Sequence, residues 1–354
     1  MPFLLLHPFD DPAIFAAVTG LDPSALTPAR LAGGVDEGTV GALAEVEGEP
    51  ALGRLLFYAA VHGAAVDPGT AQMQDGAFVA ARVVAPGPEP LAGLDVTAPL
   101  TERWLAIWRE AASEILDAIG TQDSDQVQER LGMIWSRADS RLRGQASRRT
   151  PLGGLDRRNL RIRSRTRPYA GFFAVEDYVY SHDRFDGTDS GPLDRAAFIG
   201  GDAVTVLPYD PVRDTVLVVE QVRASAVARN DPSPWLIEPV AGRIDPGQSV
   251  EETARRETLE EAGLTLGALH SIGEYYPSTG AFTEYLYSFI GIADLPEDAA
   301  GLGGLASEAE DIRAHVMPRA RLMELIAAGE APVGTLLVSA FWLALNVDRL
   351  RQSG

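Results

Sequence analysis

A chain of 354 residues is long for one domain and of a typical length for two. Its composition, with 46% hydrophobic and 23% charged residues, is ordinary for a globular protein. The formal net charge of −20 at pH 7 argues against general binding to nucleic acids or anionic membranes. The absence of cysteine excludes disulfides, thiolate metal ligands and a cysteine nucleophile.

The first part of the chain predicts a small α+β region. Phe3–Leu6 and Arg54–Tyr58 are typical of short buried strands, and the stretches 65–76 and 84–99, punctuated by Gly and Pro, are typical of loops. The apolar run at the start has no basic flank and is too short for a signal or spanning segment. We therefore expect a cytoplasmic protein.

Two helices are predicted next. Thr101 opens the first, in which Trp104, Trp108 and other apolar residues recur at helical spacing. The second runs from Asp123 to about Leu142. Two indoles on one face could form a binding platform, but packing against the N-terminal sheet is the favoured interpretation.

Arginines crowd residues 137–167, which also hold Pro151 and consecutive glycines. This change in composition predicts an Arg-rich linker at 146–167, between an α+β domain at 1–145 and a second domain at 168–354. The basic character could indicate an RNA contact. Ion pairing that links the two acidic domains is the favoured interpretation.

The second domain is predicted to place several strands around one strongly signalled helix, with amphipathic helices after it. The predicted strands are 172–180, 203–207, 215–223 and 285–292, and the predicted helices are 250–262, about 318–328 and about 335–351.

The helix at 250–262 has both of its ends encoded in the sequence. Ser249 is typical of an N-cap, and Glu252, three residues later, completes a capping box. Gly263 is typical of a left-handed C-cap. These signals predict where the helix begins and ends, and therefore which of its residues share a face.

Three glutamates of this helix, Glu257, Glu260 and Glu261, are spaced i, i+3 and i+4, so their carboxylates lie on one face. Clustered hard oxygen ligands suit Mg²⁺ or Mn²⁺, which also hold substrate phosphates. Arg256 stands beside them and could orient the carboxylates. The alternative is a solvated acidic helix, which the preceding glycine-containing loop and the two caps disfavour.

The segment from Gly242 to Leu264 resembles the signature of the Nudix hydrolases. The matching residues are Gly242, Arg256, Glu257, Glu260, Glu261, Gly263 and Leu264. Two positions depart from the signature: Gln248 replaces a structural glutamate, and Thr258 replaces an aliphatic residue. A glutamine amide could still bond Arg256, and neither change touches the metal carboxylates.

Over about 165–350 the chain is similar to the ADP-ribose pyrophosphatase branch of that family. The stretches that carry this similarity begin at Tyr169, Val204, Glu220, Trp235 and Ser307. The resemblance implies an α/β fold, a Nudix α/β/α sandwich with a mixed sheet, preceded by a smaller α+β domain. It also implies a homodimer, which the net charge predicts to bind neither nucleic acid nor membrane.

The activity that the resemblance implies is Mg²⁺-dependent hydrolysis of ADP-ribose, or of a related nucleoside diphosphate sugar, to AMP and ribose 5-phosphate. Mn²⁺ is the alternative metal. Two other functions stay open: hydrolysis of another nucleoside diphosphate derivative, and a sensor that binds ADP-ribose without cleaving it. The branch often has Ser-Pro-Gly after the signature, whereas this chain has Pro277-Ser278-Thr279-Gly280, which weakens the assignment of ADP-ribose.

The resemblance also assigns roles to individual residues. The metal ligands would be the Ala241 carbonyl, Glu257 and Glu261, with Glu260 as a further ligand. The substrate residues would be Arg223 on phosphate, Phe172 and Arg195 beside the adenine, and Glu238 and Glu284 on the ribose and metal side. The catalytic set would combine Glu261 with a base on a mobile loop, Glu308, for which Glu310 is the rival.

Residues 1–120 resemble the γ-glutamylcyclotransferase-like fold through the opening strand and through segments such as His7-Pro8 and Leu55-Leu-Phe-Tyr58. That family's glycine-containing substrate loop is absent, and Ala59 stands where its glutamate is expected. The resemblance therefore implies a non-catalytic domain, built as in Nudix proteins linked to tellurite resistance.

Overall fold

The protein forms two compact units, Met1–Ile199 and Gly200–Gly354. The computed structural model describes residues 2–33, 36–87, 90–96, 99–296, 299–305 and 310–352. The division between the units falls later than the linker predicted at 146–167. The first unit therefore includes strands that the sequence assigns to the second domain, and the predicted domain limits stay predictions.

In its described residues the first unit combines a five-stranded barrel, five α-helices and a three-stranded sheet. Its elements are β1 (Pro2–Leu6), α1 (Pro12–Thr19), β2 (Thr27–Leu31), β3 (Val40–Glu45), α2 (Ala51–Val61), β4 (Ala65–Met73), β5 (Phe78–Ala85), α3 (Glu102–Leu116), α4 (Ser124–Gln128), α5 (Leu131–Ala146), β6 (Leu160–Ala170), β7 (Ala174–His182) and β8 (Leu193–Ile199). The barrel closes in the order β1-β3-β2-β4-β5, and β6, β7 and β8 pair antiparallel. The unit has the predicted α+β architecture, and its resemblance to the γ-glutamylcyclotransferase-like fold stays a prediction.

Two predictions in the barrel region are wrong. Arg54–Tyr58 lies in helix α2, because Leu55, Tyr58 and Ala59 recur at helical spacing and are all buried. Most of the predicted loop 65–76 is strand β4. Its Gly69 lies so close to β5 that a Cβ there would overlap the Val83 side chain, so the glycine permits this pairing.

The helices that follow agree closely with the sequence. Thr101 caps α3 by accepting a hydrogen bond from Trp104 N at 3.3 Å. The predicted second helix is interrupted, and the structure has α4 and α5 in its place. Trp108 is fully buried and stacks with Trp135 at 6.0 Å between ring centroids. Trp108 is therefore a core residue, with ring contacts to Phe9, Tyr58 and Trp135, and its predicted packing against the N-terminal sheet stays a prediction.

The arginines of the predicted linker are partly in regular structure, since Leu160–Ala170 is strand β6. Arg167 pairs with Glu176 at 2.6 Å and with Asp117 at 2.8 Å, and Arg161 pairs with Asp183 at 2.8 Å. These ion pairs lie within the first unit. They neutralise acidic side chains there, rather than spanning a flexible connection.

The second unit is an eight-stranded mixed sheet between helices. Its elements are β9 (Ala203–Asp210), β10 (Thr215–Val222), α6 (Ala224–Ala228), β11 (Trp235–Glu238), β12 (Val240–Arg243), α7 (Val250–Ala262), β13 (Leu269–Tyr275), β14 (Leu286–Ile292), β15 (Leu302–Gly303), β16 (Ile312–Pro318), α8 (Arg319–Ala328) and α9 (Gly334–Gln352). The main path runs β13-β14-β9-β10-β16-β15, with β9 parallel to β14.

The two faces of this sheet are covered by different helices. Strand β9 is buried throughout, and its side chains alternate between the faces. Val204 and Val206 pack in one core with Ala254 of α7, whereas Leu207 and Tyr209 pack in another with residues of α8 and α9. This is the predicted α/β/α sandwich. None of the helices in the described part of the chain has the length and apolarity needed to cross a lipid bilayer.

Candidate active site

Helix α7 begins and ends where the sequence predicts. Ser249 Oγ accepts from Glu252 N at 3.2 Å, and Glu252 Oε2 accepts from Ser249 N at 2.9 Å, which is a complete capping box. Gly263 ends the helix in the left-handed region at φ 65°. These caps fix which side chains of α7 face the sheet.

The carboxylate of Glu257 lies directly against strand β12. A Cβ at Gly242 would overlap this carboxylate, so any larger residue at position 242 would push Glu257 away. Gly242 is itself held in the sheet, opposite Val204 of β9. The glycine of the signature therefore makes room for the first predicted metal ligand.

Glu261 is the most buried of the three glutamates, at 2% exposure, and its Oε2 accepts from Ala241 N at 3.2 Å. Burial, helped by the negative charges of Glu257 and Glu310, raises the pKa of Glu261 to about 8, and the Ala241 N–H and Arg223 oppose this rise. Burial likewise raises the pKa of Glu257 to about 7. Desolvation of the negative charge is therefore the main cause of both raised pKa values.

Arg256 holds the acidic groups around it in place. Its Nη2 pairs with Glu257 at 2.9 Å and with Asp245 at 3.1 Å, while its Nη1 pairs with Glu260 at 2.9 Å. Gln248 Oε1 accepts from Arg256 Nε at 3.4 Å, so the amide keeps the expected contact. Arg256 orients the carboxylates as predicted. The role of Glu260 as a metal ligand stays a prediction.

The loop that includes β15 packs on the end of α7. A Cβ at Gly303 would overlap the carbonyl oxygen of Glu261, and Gly304 N donates to the carbonyl of Glu260 at 3.1 Å. Glu310 folds back onto this loop, accepting from Leu305 N at 3.1 Å. Its carboxylate is close enough to raise the pKa of Glu261. Glu308, the other candidate base, lies outside the described residues.

Arg223 stands at the end of β10 and pairs with Glu238, whose Oε2 lies 2.6 Å from both Nε and Nη2. Burial raises the pKa of Glu238, and Arg223 opposes this. Burial also raises the pKa of Glu284, against the positive charges of Arg243 and Arg223. Arg223 is thus close enough to lower the pKa values of both predicted substrate glutamates and of Glu261.

Arg243 is a residue of this cluster that the sequence reasoning missed. It lies on β12 opposite Ala203 of β9 and directly follows Gly242. An arginine adjacent to the glycine of the signature was the available signal, since β12 carries the residues that face α7. It adds a second guanidinium on the Glu284 side of the site.

Two predicted substrate residues belong to the first unit and stay predictions. Phe172 lies in the turn between β6 and β7 and is 60% exposed. Arg195 is an exposed residue of β8 whose Nη1 donates to the Asp194 carbonyl at 2.7 Å.

The residues of the site fit a divalent cation by their chemistry. Glu257 and Glu261 offer largely buried carboxylate oxygens whose pKa values are raised mainly by desolvation, and a bound hard cation would stabilise their ionised form. Within the residues that the structure describes, no three acidic or histidine side chains are already arranged as a metal site. The fit therefore rests on the carboxylate pair.

The raised pKa values give an expectation for the metal-free protein. A glutamate of the unfolded chain titrates near 4.5, so between that pH and about 8 the folded protein holds protons that the unfolded chain has released. The free energy of unfolding contributed by these groups is fully present below pH 4.5 and falls as the pH rises through this window. In chelator, Glu261→Gln should therefore gain stability over wild type as the pH rises.

Denaturant unfolding at about pH 5 and about pH 8, with EDTA and with Mg²⁺, measures this difference. Mg²⁺ should stabilise the wild-type protein more at the higher pH, because protons compete for the same oxygens. A stability difference between the two proteins that does not change with pH would contradict the expectation.

The NUDIX domain pattern matches residues 201–335, which contain the eight-stranded sheet, helix α7 and the loop of Glu310. The chain belongs to the Nudix family of hydrolases. It is similar to the ADP-ribose pyrophosphatase of Escherichia coli K12, at 37% identity over 193 residues that cover 54% of this chain and 91% of that protein.

Two further known proteins are similar to part of this chain. The GDP-mannose pyrophosphatase of Escherichia coli O157:H7 is 28% identical over 175 residues, covering 49% of this chain and 90% of that protein. A solved structure of an ADP compounds hydrolase aligns with 52% of this chain and 95% of its own, at 21% identity and a TM-score of 0.41.

Proposed function

We propose that this protein is a Mg²⁺-dependent hydrolase of ADP-ribose or a closely related nucleoside diphosphate sugar. In the proposed reaction water attacks one phosphorus of the pyrophosphate, the bridging P–O bond breaks, and one proton leaves the water. With ADP-ribose the products are AMP and ribose 5-phosphate. Mn²⁺ is the alternative metal.

One observation carries the proposal, namely the buried pair of carboxylates from Glu257 and Glu261 beside strand β12. Both have pKa values raised by burial, and Gly242 leaves room for one of them. They would hold the cation, with the Ala241 carbonyl and Glu260 as further ligands. A bound divalent cation supplies positive charge against the pyrophosphate oxygens and makes nearby water more acidic.

The guanidinium of Arg223 is the group best placed to bind a phosphate. Its Nε and Nη2 are engaged by Glu238, so the planar group is fixed in orientation, and its side chain is partly exposed. A fixed guanidinium binds phosphate oxygens with directional, charge-assisted hydrogen bonds. Arg243 and Glu284 would complete the wall on the ribose side.

The proton of the attacking water requires a carboxylate base. Glu310 is held by the loop that packs on α7, and its charge acts on Glu261, which supports it as that base. General-base catalysis contributes roughly 10²–10⁴-fold to a rate. Glu308, the base that the family resemblance predicts, lies outside the described residues and stays a prediction.

The choice of ADP-ribose is supported by the similarity to the Escherichia coli ADP-ribose pyrophosphatase, which exceeds that to the GDP-mannose pyrophosphatase. The second relative makes hydrolysis of another nucleoside diphosphate sugar the alternative. The homodimer, the cytoplasmic location and the absence of nucleic-acid and membrane partners stay predictions.

The proposal is tested by incubating the protein with ADP-ribose and Mg²⁺ and measuring AMP and ribose 5-phosphate. We expect equimolar products, no reaction in EDTA, and slower reaction with GDP-mannose. Faster turnover of GDP-mannose would move the assignment to the alternative substrate. Tight binding of ADP-ribose without AMP release would identify a sensor instead of an enzyme.

A further inference from the structure

Three hydroxyl groups form a hydrogen-bonded chain across the sheet of the second unit, beside the candidate active site. Thr205 of β9 lies opposite Ala241 of β12, the predicted carbonyl ligand, and opposite Ser288 of β14. Thr205 Oγ1 lies 2.6 Å from Ser288 Oγ, and Ser288 Oγ donates to Tyr275 Oη of β13 at 3.0 Å. We call Thr205, Ser288 and Tyr275 the hydroxyl chain. It begins next to Ala241 and ends at Tyr275.

The protons of the hydroxyl chain point in one direction. Ser288 has a single hydroxyl proton, which it donates to Tyr275, so Thr205 must be the donor in the bond between Thr205 and Ser288. Thr205 is 2% exposed and Ser288 is fully buried. A buried hydroxyl that lost its partner would lose that hydrogen bond without gaining one to water. The chain therefore keeps its direction, from the core of the sheet toward Tyr275.

This arrangement leaves the hydroxyl proton of Tyr275 for another partner. Its oxygen accepts from Ser288, and the described residues place no acceptor within hydrogen-bond distance of its O–H. Burial and the negative charge of Glu284 raise the pKa of Tyr275, against the bond from Ser288, so the hydroxyl keeps its proton at neutral pH. Tyr275 is only partly buried. It therefore presents a hydrogen-bond donor of fixed direction.

An acceptor lies near this donor. Glu284 is close enough to Tyr275 for its charge to raise the tyrosine pKa. Burial raises the pKa of Glu284 itself, whereas Arg243 and Arg223 lower it and so favour the ionised carboxylate. A hydroxyl group suits both neighbours, because it can accept one hydrogen bond and donate another. The sugars of a nucleoside diphosphate sugar carry several such groups.

We propose that Tyr275 is a specificity-determining residue, whose O–H donates a hydrogen bond to a hydroxyl group of a substrate sugar. The hydroxyl chain fixes the direction of this donor, and Glu284 accepts the proton of the same sugar hydroxyl. The inference rests on the proposed function and deepens it. A site built to bond a substrate hydroxyl rejects an analogue that lacks it, because the polar groups of the site are then left unpaired. All of these residues belong to the second unit.

The first test is Tyr275→Phe in the full chain, which removes the hydroxyl and keeps the ring. We expect KM for ADP-ribose to rise about fivefold, the typical effect of losing one hydrogen bond between neutral groups, with kcat within about twofold. Tyr209→Phe is the matched control. It removes a hydroxyl that donates to Asp214 at 3.0 Å, near the other end of β9, and should keep both constants.

Substrate analogues show whether Tyr275 contacts a sugar hydroxyl. Analogues of ADP-ribose that each lack one ribose hydroxyl are compared in wild-type and Tyr275→Phe protein. For one analogue we expect the two proteins to have the same raised KM, because the analogue and the substitution remove the same bond. For the other analogues Tyr275→Phe should keep its full effect. A structural role alone would raise KM by the same factor for every analogue.

The direction of the hydroxyl chain is tested by replacing its two buried hydroxyls together. Thr205→Val combined with Ser288→Ala leaves neither buried group without its partner and lets the Tyr275 O–H rotate. We expect KM for ADP-ribose to rise about threefold in this double variant. The same pair of substitutions should cause no further rise in Tyr275→Phe protein, since all three act through one hydrogen bond. Thermal unfolding checks that each variant is folded.

The outcomes separate this inference from the proposed function. Wild-type protein that releases no AMP from ADP-ribose overturns the proposed function and the inference with it. Wild-type protein that releases AMP, with KM unchanged in Tyr275→Phe, overturns the inference alone. An equal effect of Tyr275→Phe on every analogue, or a fully additive effect of the Thr205 and Ser288 substitutions, also overturns the inference alone.

Discussion

Replacing Glu261 by glutamine is expected to lower kcat for the proposed hydrolysis by about 10³-fold, equivalent to about 4 kcal/mol of transition-state stabilisation. The glutamine keeps the shape of the side chain and an oxygen that can accept from Ala241 N, so the fold should be retained. What is lost is the negative charge that would hold the cation. Steady-state release of AMP at saturating Mg²⁺ measures the effect.

The matched control for this substitution is Glu251→Gln, which makes the same chemical change in the exposed first turn of α7. It should retain wild-type kcat. Far-ultraviolet circular dichroism and thermal unfolding check that both variants are folded. Near-normal turnover by a folded Glu261→Gln protein would remove Glu261 from the metal site.

Replacing Gly242 by alanine is expected to lower kcat by about 10²-fold without removing any charged group. The added methyl would occupy the position of the Glu257 carboxylate. That carboxylate is the far end of a flexible side chain, so it can move aside at little cost to the fold. Displacement of a reacting group by about 1 Å can cost 10²-fold in rate.

Gly334→Ala is the control for this second variant, because a Cβ at Gly334 meets open space. It should leave kcat and thermal stability unchanged. For Gly242→Ala we expect a raised Mg²⁺ requirement together with the lower kcat, with a melting temperature close to wild type. Loss of stability in place of activity would mean that the glycine serves the sheet, and not the carboxylate.

The bounds of helix α7 could be predicted in detail because the residues that begin and end it act locally. Ser249, Glu252 and Gly263 act on the backbone within a few residues, so the observed bounds of α7 are those the sequence predicts. The face shared by Glu257 and Glu261 then follows from helical spacing alone. Strands β9, β10 and β14 were also recognised from their continuous apolar runs.

Elements that depend on tertiary contacts could not be predicted in this way. Arg54–Tyr58 is rich in residues that favour strands. The segment nevertheless forms a helix, because Leu55, Tyr58 and Ala59 recur at helical spacing and are buried. Strand β4 contains Pro68 and Gly69, which favour a loop locally, but its pairing with β5 outweighs this preference.

The candidate active site also depends on tertiary contacts that the sequence alone does not predict. The sequence identified Arg223, Glu238 and Glu284 only through the family resemblance, because their proximity depends on the order of strands in the sheet. Arg243 was missed for this reason, although it adjoins the signature glycine. Glu310 could not be distinguished from Glu308 by sequence, since the distance to Glu261 depends on how the loop packs.

The position of Arg256 has a consequence for how the enzyme is assembled. One guanidinium, bonded to Glu257, Glu260 and Asp245, serves as a resident counter-ion among groups that would otherwise repel one another. We therefore expect the polypeptide to reach its native shape without a bound cation. Under the proposed function, folding and metal loading would then be separable events, and the divalent cation would be needed for turnover rather than for the fold.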